Sequence, residues 1–287
     1  GAGRSCAAAT FNRERRTMTD ATTPKIVEPE GGHFYSIRAE LISTVPSADG
    51  KKQVKCTLRH ARTMDLARGV TSVIGSCDKP ALTRWKMEQV AIAACTLTRQ
   101  EGESDESWQK RLLEEAGKTG KESAAEGTRI HKQIQNHFQL APIDPDYQDH
   151  VDGATQELDQ LNVDEWRSEV PCVSMLGYGT MADLVGYRRG AIVALVDTKT
   201  KDGSLEKIRS LGLYDEHYMQ LAATCDALGV NPDHIAVGIL FTSRDHRGSS
   251  AFVPAGVDEL KYGMDLFRPL LRYTHTKDRY RPSWARD

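Results

Sequence analysis

Gly179-Thr180-Met181-Ala182-Asp183-Leu184-Val185-Gly186-Tyr187, then Arg188-Arg189-Gly190, then Ala191-Ile192-Val193-Ala194-Leu195-Val196-Asp197-Thr198-Lys199 run consecutively and decide how the rest of the chain is read. Two β-prone runs around a glycine-containing turn predict a hairpin. With the turn centred on Gly190, facing residues have numbers summing to 380, which sets Asp183 across from Asp197. Side chains alternate along a strand, so Lys199 shares the face of Asp197. The apolar run 192–196 marks this strand as buried, where charges are costly unless matched. Two close carboxylates repel unless a cation lies between them. Carboxylate oxygens are hard donors that suit Mg²⁺ or Mn²⁺. The lysine can then hold a phosphate or the attacking water. An Asp-x-Lys alone is commonly a salt bridge, here of Asp197 with Lys199 or Lys201; the facing Asp183 tips the reading toward an ion site.

Upstream, Glu126-Gly127-Thr128-Arg129-Ile130-His131 opens a helix expected from about Ser123 to Phe138. Gly127 lies one turn before His131 and leaves room beside that face. A histidine so placed can supply a nitrogen ligand to the same ion. Other helices are expected from Pro80 to about Thr98, over 108–116, 147–161, 214–228 and 257–273. Strands are expected over 166–173, 180–187, 191–197 and 234–242. Helices, then clustered strands, then helix–strand–helix imply a layered α/β domain over 63–287.

Residues 33–62 alternate in polarity on either side of a turn at Ala48-Asp49-Gly50 and read as a β-hairpin arm. Its return strand and exit carry Lys55, Arg59, Arg62 and Arg68, read either as a nucleic-acid contact or as a solvated edge. Lys201, Lys207 and Arg209 offer a second basic path just past the Asp-x-Lys strand. The basic and aromatic C-terminal tail, with Tyr280 and Trp284, is expected to be a frayed terminus. Residues 1–32 are expected to be flexible, with Gly1-Ala2-Gly3 resembling an expression scar, 1–17 set aside, and Met18 resembling a natural start.

Composition bounds these readings. The 287 residues hold 38 Lys+Arg against 40 Asp+Glu, a formal net charge of −2. A uniformly basic, histone-like binder is excluded; a local basic groove is not. No apolar run approaches the roughly 18 residues of a membrane span. The 6 cysteines are scattered with no C-x-x-C pair, which fits reduced thiols rather than a zinc ribbon or a disulfide framework.

The order Gly127-x-x-x-His131, Gly179-x-x-x-Asp183, Asp197-x-Lys199 and then Gln220 on the following helix resembles the PD-(D/E)XK nuclease superfamily, in its RecB-type exonuclease branch. Gly69-Val70-Thr71-Ser72-Val73 followed by Arg84-Trp85-Lys86 is similar to the front of the mitochondrial genome maintenance exonuclease and its phage-encoded relatives. The resemblance covers roughly residues 69–245 and implies a restriction-endonuclease-like core, a mixed central sheet flanked by helices. It implies a Mg²⁺- or Mn²⁺-dependent deoxyribonuclease acting on DNA, as an exonuclease preferring single-stranded ends. Its metal ligands would be His131, Asp183, Asp197 and the carbonyl of Thr198. Lys199 would orient the water and offset phosphate charge, and Gln220 would support Lys199 or the water. Glu169 would be an outer carboxylate or simply an exposed strand residue. Where the family often has Gln-x-x-x-Tyr, this chain has Thr224. Relatives with an iron–sulfur cluster carry three cysteines near the C-terminus; none follows Cys225, so no iron–sulfur cluster is expected. The expected setting is the cytoplasm of a bacterial or phage-infected cell, with the mitochondrial matrix as the alternative.

Overall fold

The computed structural model describes residues 33–286, so the readings made for 1–32 lie outside the described residues. Within it, β1 (Phe34–Tyr35) and β2 (Leu41–Ile42) form a tight hairpin around Ala39, whose φ is 62°. A second hairpin joins β3 (Thr44–Pro46) to β4 (Gln53–Lys55), and α1 (Leu58–Met64), β5 (Ala67–Gly69) and α2 (Val70–Ile74) follow. Three longer helices come next: α3 (Pro80–Thr96), α4 (Asp105–Ala116) and α5 (Lys118–Phe138). Pro142 and Pro145 cannot continue α5, and α6 (Gln148–Asp159) begins beyond them. Then β6 (Glu165–Ser174), β7 (Tyr178–Arg188) and β8 (Ala191–Lys201) run in succession. The chain continues through α7 (Leu205–Arg209), α8 (Asp215–Leu228), β9 (Ala236–Ser243), β10 (Ser250–Pro254) and α9 (Val257–Asp278).

The main sheet has the order β10-β9-β8-β7-β5-β1-β2, with β6 on the other side of β7. It is mixed: mostly antiparallel, with β5 parallel to β7 and β8 parallel to β9. Strands β3 and β4 form a separate small sheet. The expected long helices and strands appear within a few residues of their readings, while α1, β5, α2, α7 and β10 had no counterpart. No helix among the described residues is long and apolar enough to cross a membrane.

The β7–β8 register is instructive. Leu184 faces Val196 and Gly186 faces Ala194, as expected for a sum of 380, but Arg188 faces Ala191. The turn is therefore the two residues Arg189-Gly190, with φ of 52° and 79°. Positive φ at both central positions gives the twist that suits a right-handed hairpin, and glycine adopts it without steric cost. A bulge at Gly186/Tyr187 then inserts one residue and restores the sum of 380.

Alternation along these strands divides the core. On one face Val185, Leu195, Val237, Ile239 and Phe241 pack with Leu221, Ala222 and Cys225 of α8. On the other, Leu184, Val196 and Leu240 pack with Ile130 and Ile134 of α5 and Val151, Ala154 and Leu158 of α6. Further along, Tyr178 meets Phe267 of α9 edge-on, ring centroids 4.9 Å apart, and both are fully buried. Each such side chain contributes about 1.5–3 kcal/mol through area removed from water.

Two expectations fail here. Residues 33–62 are not an arm: β1 pairs with β5 inside the main sheet, and only 44–55 form the hairpin beyond it. The alternation of Tyr35, Ile37, Ala39 and Leu41 is overridden by a turn in which Ser36 Oγ binds the Glu40 carboxylate. Nor is the tail frayed. Tyr280 Oη donates to the carbonyls of Ala61 and Leu66, and Trp284 Nε1 donates to that of Asp65 at 3.0 Å. The buried polar tips of an aromatic tail find backbone acceptors, which anchors it.

Candidate metal centre

The site forms where the sheet forks. One edge of β7 is paired with β6 along nearly its whole length. On the other edge, β8 pairs with residues 184–188 and β5 with Tyr178 and Gly179. Residues 180–183 lie between these partners, where β8 leaves β7. There the backbone N–H of Thr198 donates to Asp183 Oδ2 at 2.8 Å, so a carboxylate takes over where the ladder ends.

Asp183 Oδ2 also accepts the Thr198 hydroxyl at 3.0 Å, and Thr198 Oγ1 lies 2.6 Å from His131 Nδ1. His131 Nε2 lies 3.1 Å from Glu169 Oε1. A threonine hydroxyl has one proton; if it goes to Asp183, His131 Nδ1 must donate to it. Burial pulls the His131 pKa down, but the hydrogen bond to Glu169 and the charges of Asp183, Glu169 and Asp197 outweigh it and leave the pKa raised. The same carboxylates that favour a proton on this ring would favour a metal cation in the proton's place. Ligand atoms of His131, Glu169 and Asp183 all lie within 4.8 Å of one another.

Glu169 is half-buried and paired with His131, not a freely exposed strand residue, and its carboxylate stands within reach of the same point as Asp183. Ser168 faces Leu184 and Val170 faces Ala182, which puts Glu169 opposite Asp183. Its φ of 54° marks a local departure from regular strand geometry. The signal was available: a turn at Met175-Leu176-Gly177 gives sums of 352 for β6 and β7, pairing 169 with 183 by the argument already applied to 197.

Asp197 stands differently. It and Lys199 lie on the α8 face, so the three residues expected to share one face divide between two. Lys199 Nζ is 2.6 Å from Asp197 Oδ2, and Gln220 Nε2 donates to Asp197 Oδ1 at 2.6 Å. Gln220 therefore supports Asp197 rather than Lys199. Oδ2 is buried and the Lys199 ammonium is its close partner. Burial raises the Asp197 pKa and Asp183 adds to the rise, while Lys199 opposes it. For Lys199, burial lowers the pKa, but Asp197 and Asp183 outweigh it and the group stays an ammonium. Thr224 Oγ1 bonds the carbonyl of Gln220 within α8, so its hydroxyl is turned to the helix and not to the site.

Helix α5 approaches β8 closely. A Cβ on Gly127 would lie 2.5 Å from Thr200 Oγ1, so the glycine is what lets His131 reach Thr198 one turn later. Between α5 and the strands is a cleft of about 340 Å³, lined by Gly127, His131, Thr198, Lys199, Thr200, Thr242 and Arg244.

The basic candidates separate on geometry. Arg62 and Arg68 bond the carbonyl and carboxylate of Asp278 in α9. Arg209 pairs with Glu157 at 3.1 Å. These three tie the fold together. Lys55, Arg59 and Lys207 are exposed, and Lys201 lies over the Tyr214 ring at 5.9 Å.

An imidazole and two carboxylates beside an open cleft form a donor set that fits Mg²⁺ or Mn²⁺. No protein family's sequence profile matches the chain, and no curated protein matches it significantly.

Proposed function

We propose that this chain is a metal-dependent deoxyribonuclease with a restriction-endonuclease-like core, similar to RecB-type exonucleases, hydrolysing phosphodiester bonds at DNA ends and preferring single strands. The observation that carries the reading is the gathering of His131, Glu169 and Asp183 at the fork, beside the Asp197–Lys199 pair. A structural ion pair alone gives no reason to bring three potential ligands together.

In this reading His131, Glu169 and Asp183 would hold the cation, and the Asp197 carboxylate, expected from the sequence as a ligand, would adjoin them. The bound ion supplies Lewis acidity, a lowered water pKa and neutralisation of the phosphate oxygens. Thr198 fixes the Asp183 carboxylate through two hydrogen bonds. Gln220 fixes that of Asp197. The Lys199 ammonium, held by Asp197, would offset charge developing on the phosphate. In-line attack by water leaves a 5′-phosphate and a 3′-hydroxyl.

The test is cleavage of end-labelled and circular DNA, single- and double-stranded, with Mg²⁺, Mn²⁺ or EDTA. Metal-dependent loss of linear single strands, circles being spared, is the expected result. Asp183→Asn keeps an acceptor for Thr198 and removes only the charge, so it should fold normally and lose at least about 10³-fold in turnover. Full turnover in this variant overturns the site. Cutting of circles would make the enzyme an endonuclease, and metal-independent binding without cutting would make the chain a binding module.

A further inference from the structure

The cleft extends beyond the metal ligands, and its far end has a chemistry of its own. Strands β8 and β9 are parallel there, with Thr200 facing Thr242 and Lys201 facing Ser243. Crevices beyond the carboxyl ends of parallel strands are a recurrent place for ligands. Arg244 follows directly, its backbone N–H bonded to the Lys201 carbonyl at 2.9 Å. Its Nε donates to Asp202 Oδ1 and one Nη to Asp202 Oδ2, each at 2.7 Å. The other Nη reaches the carbonyl and hydroxyl of Thr200 at 3.2 and 3.3 Å. Five N–H groups are present on a guanidinium and four bonds are made, so this anchoring leaves one Nη donor over while fixing the plane of the group. Its side chain is only 19% exposed, against 54% for Asp202, so the cation lines the cleft while its carboxylate partner faces solvent.

We propose that this end of the cleft is a phosphate subsite, in which Arg244 and the Thr200 hydroxyl bind the phosphodiester next to the one being cut. The inference rests on the nuclease reading and adds a positioning residue to it. Thr198 lies at the metal centre and Thr200 under Arg244, two residues or about 6.6 Å apart along the strand. That separation is comparable to the distance between neighbouring phosphates of one nucleic-acid strand. Lys199 lies between them in sequence, with its ammonium turned to Asp197. A polyanionic strand running from Arg244 along Thr200 and Thr198 to the metal centre would meet positive charge at both ends of that path. Arg244 was not among the basic residues singled out in the sequence, because it is remote from them along the chain and comes beside Lys201 only through β8–β9 pairing.

The experiment uses short fluorescein-labelled single strands in EDTA, each carrying one neutral methylphosphonate linkage at a different position. Binding is read by anisotropy for the intact chain and for Arg244→Ala. Neutralising one linkage should weaken wild-type binding about tenfold, the scale of a charge-assisted hydrogen bond. The same linkage should make no difference to Arg244→Ala, and Arg244→Lys should recover part of the discrimination. Mn²⁺ affinity by calorimetry should be unchanged in both variants. A merely structural arginine would weaken all strands alike, with no linkage-specific coupling, and that result overturns the subsite while leaving cleavage intact. Lost Mn²⁺ affinity in Arg244→Ala would also overturn it, placing the residue in support of the metal instead. If the wild-type chain binds no strand at all, the subsite and the nuclease reading fall together.

Discussion

Gly127→Ala is the most exacting perturbation of this site, because it adds one methyl group and no chemistry. The new Cβ would sit 2.5 Å from Thr200 Oγ1, about 1 Å inside an ordinary contact distance. Thr200 is β-branched and stiff, and its hydroxyl is engaged by Arg244, so relief comes mainly from moving α5 off β8. Overpacking costs about 1–3 kcal/mol, and alanine returns about 0.5–1 kcal/mol of helix propensity. A net loss of about 1 kcal/mol should lower the melting temperature by about 2–4 °C in a chain of this size. The larger effect falls on the ligands: His131, one turn on, is displaced from Thr198 and Asp183. Changes that disturb ligand orientation commonly cost 10–100-fold in metal affinity, and Mn²⁺ calorimetry should show a loss of about that order. The second-nearest atoms, Thr200 Cβ and Cγ2, are at 3.7 and 3.9 Å, ordinary contacts that need no movement. Adding Thr200→Ala should therefore restore both melting temperature and Mn²⁺ affinity. Wild-type Mn²⁺ affinity in Gly127→Ala, or a double variant no better than the single one, would refute the close approach as the device that positions His131.

Lys199→Ala leaves a buried carboxylate without its cation. The Asp197 pKa is already above the usual aspartate value of 3.8 through burial, and it should rise further. The folded state then holds the proton more tightly than the unfolded chain, so the penalty grows as pH rises through the folded value. Chemical denaturation should show a larger stability loss at pH 8 than at pH 5, and adding Asp197→Asn should flatten the difference. His217 behaves in the opposite sense: burial, aided by the Lys199 charge, lowers its pKa from 6.5 to about 4. Its neutral Nδ1 accepts the Tyr214 N–H at 3.2 Å. The stability it contributes is complete above pH 6.5 and is lost as pH falls toward 4; His217→Gln should reduce that acid slope in circular dichroism titrations. Tyr280→Phe removes the donor to Ala61 and Leu66, and should cost about 1 kcal/mol in urea denaturation.

Much of the hairpin could be read directly, since a period of two fixes which side chains face each other once the turn is located. The pairing sum of 380 holds through two compensating errors: the turn centre lies half a residue before Gly190, and the bulge at Gly186/Tyr187 makes up the difference. Arithmetic gives facing positions but not side-chain direction, so the turning of Asp183 toward Thr198 was hidden. That turning depends on β8 leaving β7, which is decided by β5 occupying the same edge from over a hundred residues upstream. The position of Glu169 opposite Asp183 is legible by the same sums, but its pairing with His131 is not, because that depends on where α5 packs. Arg244 and the anchoring of the tail were not legible, since both depend on parallel or distant pairing that leaves no local pattern. The failure at 35–41 is of another kind: a turn at Ala39 breaks an alternation too short to hold a strand together against it.

The clasp between Trp284 and Asp65 spans 219 positions of the chain. At about 5–20 residues per second, synthesis takes about 10–40 s to get from one to the other. During that interval the Ala61–Leu66 carbonyls lack the partners that later cover them, and β1 has no β7-anchored neighbour to join. The earliest translated part of the described chain is thus among the last to be secured, and a stalled ribosome would present it half-made to chaperones and proteases.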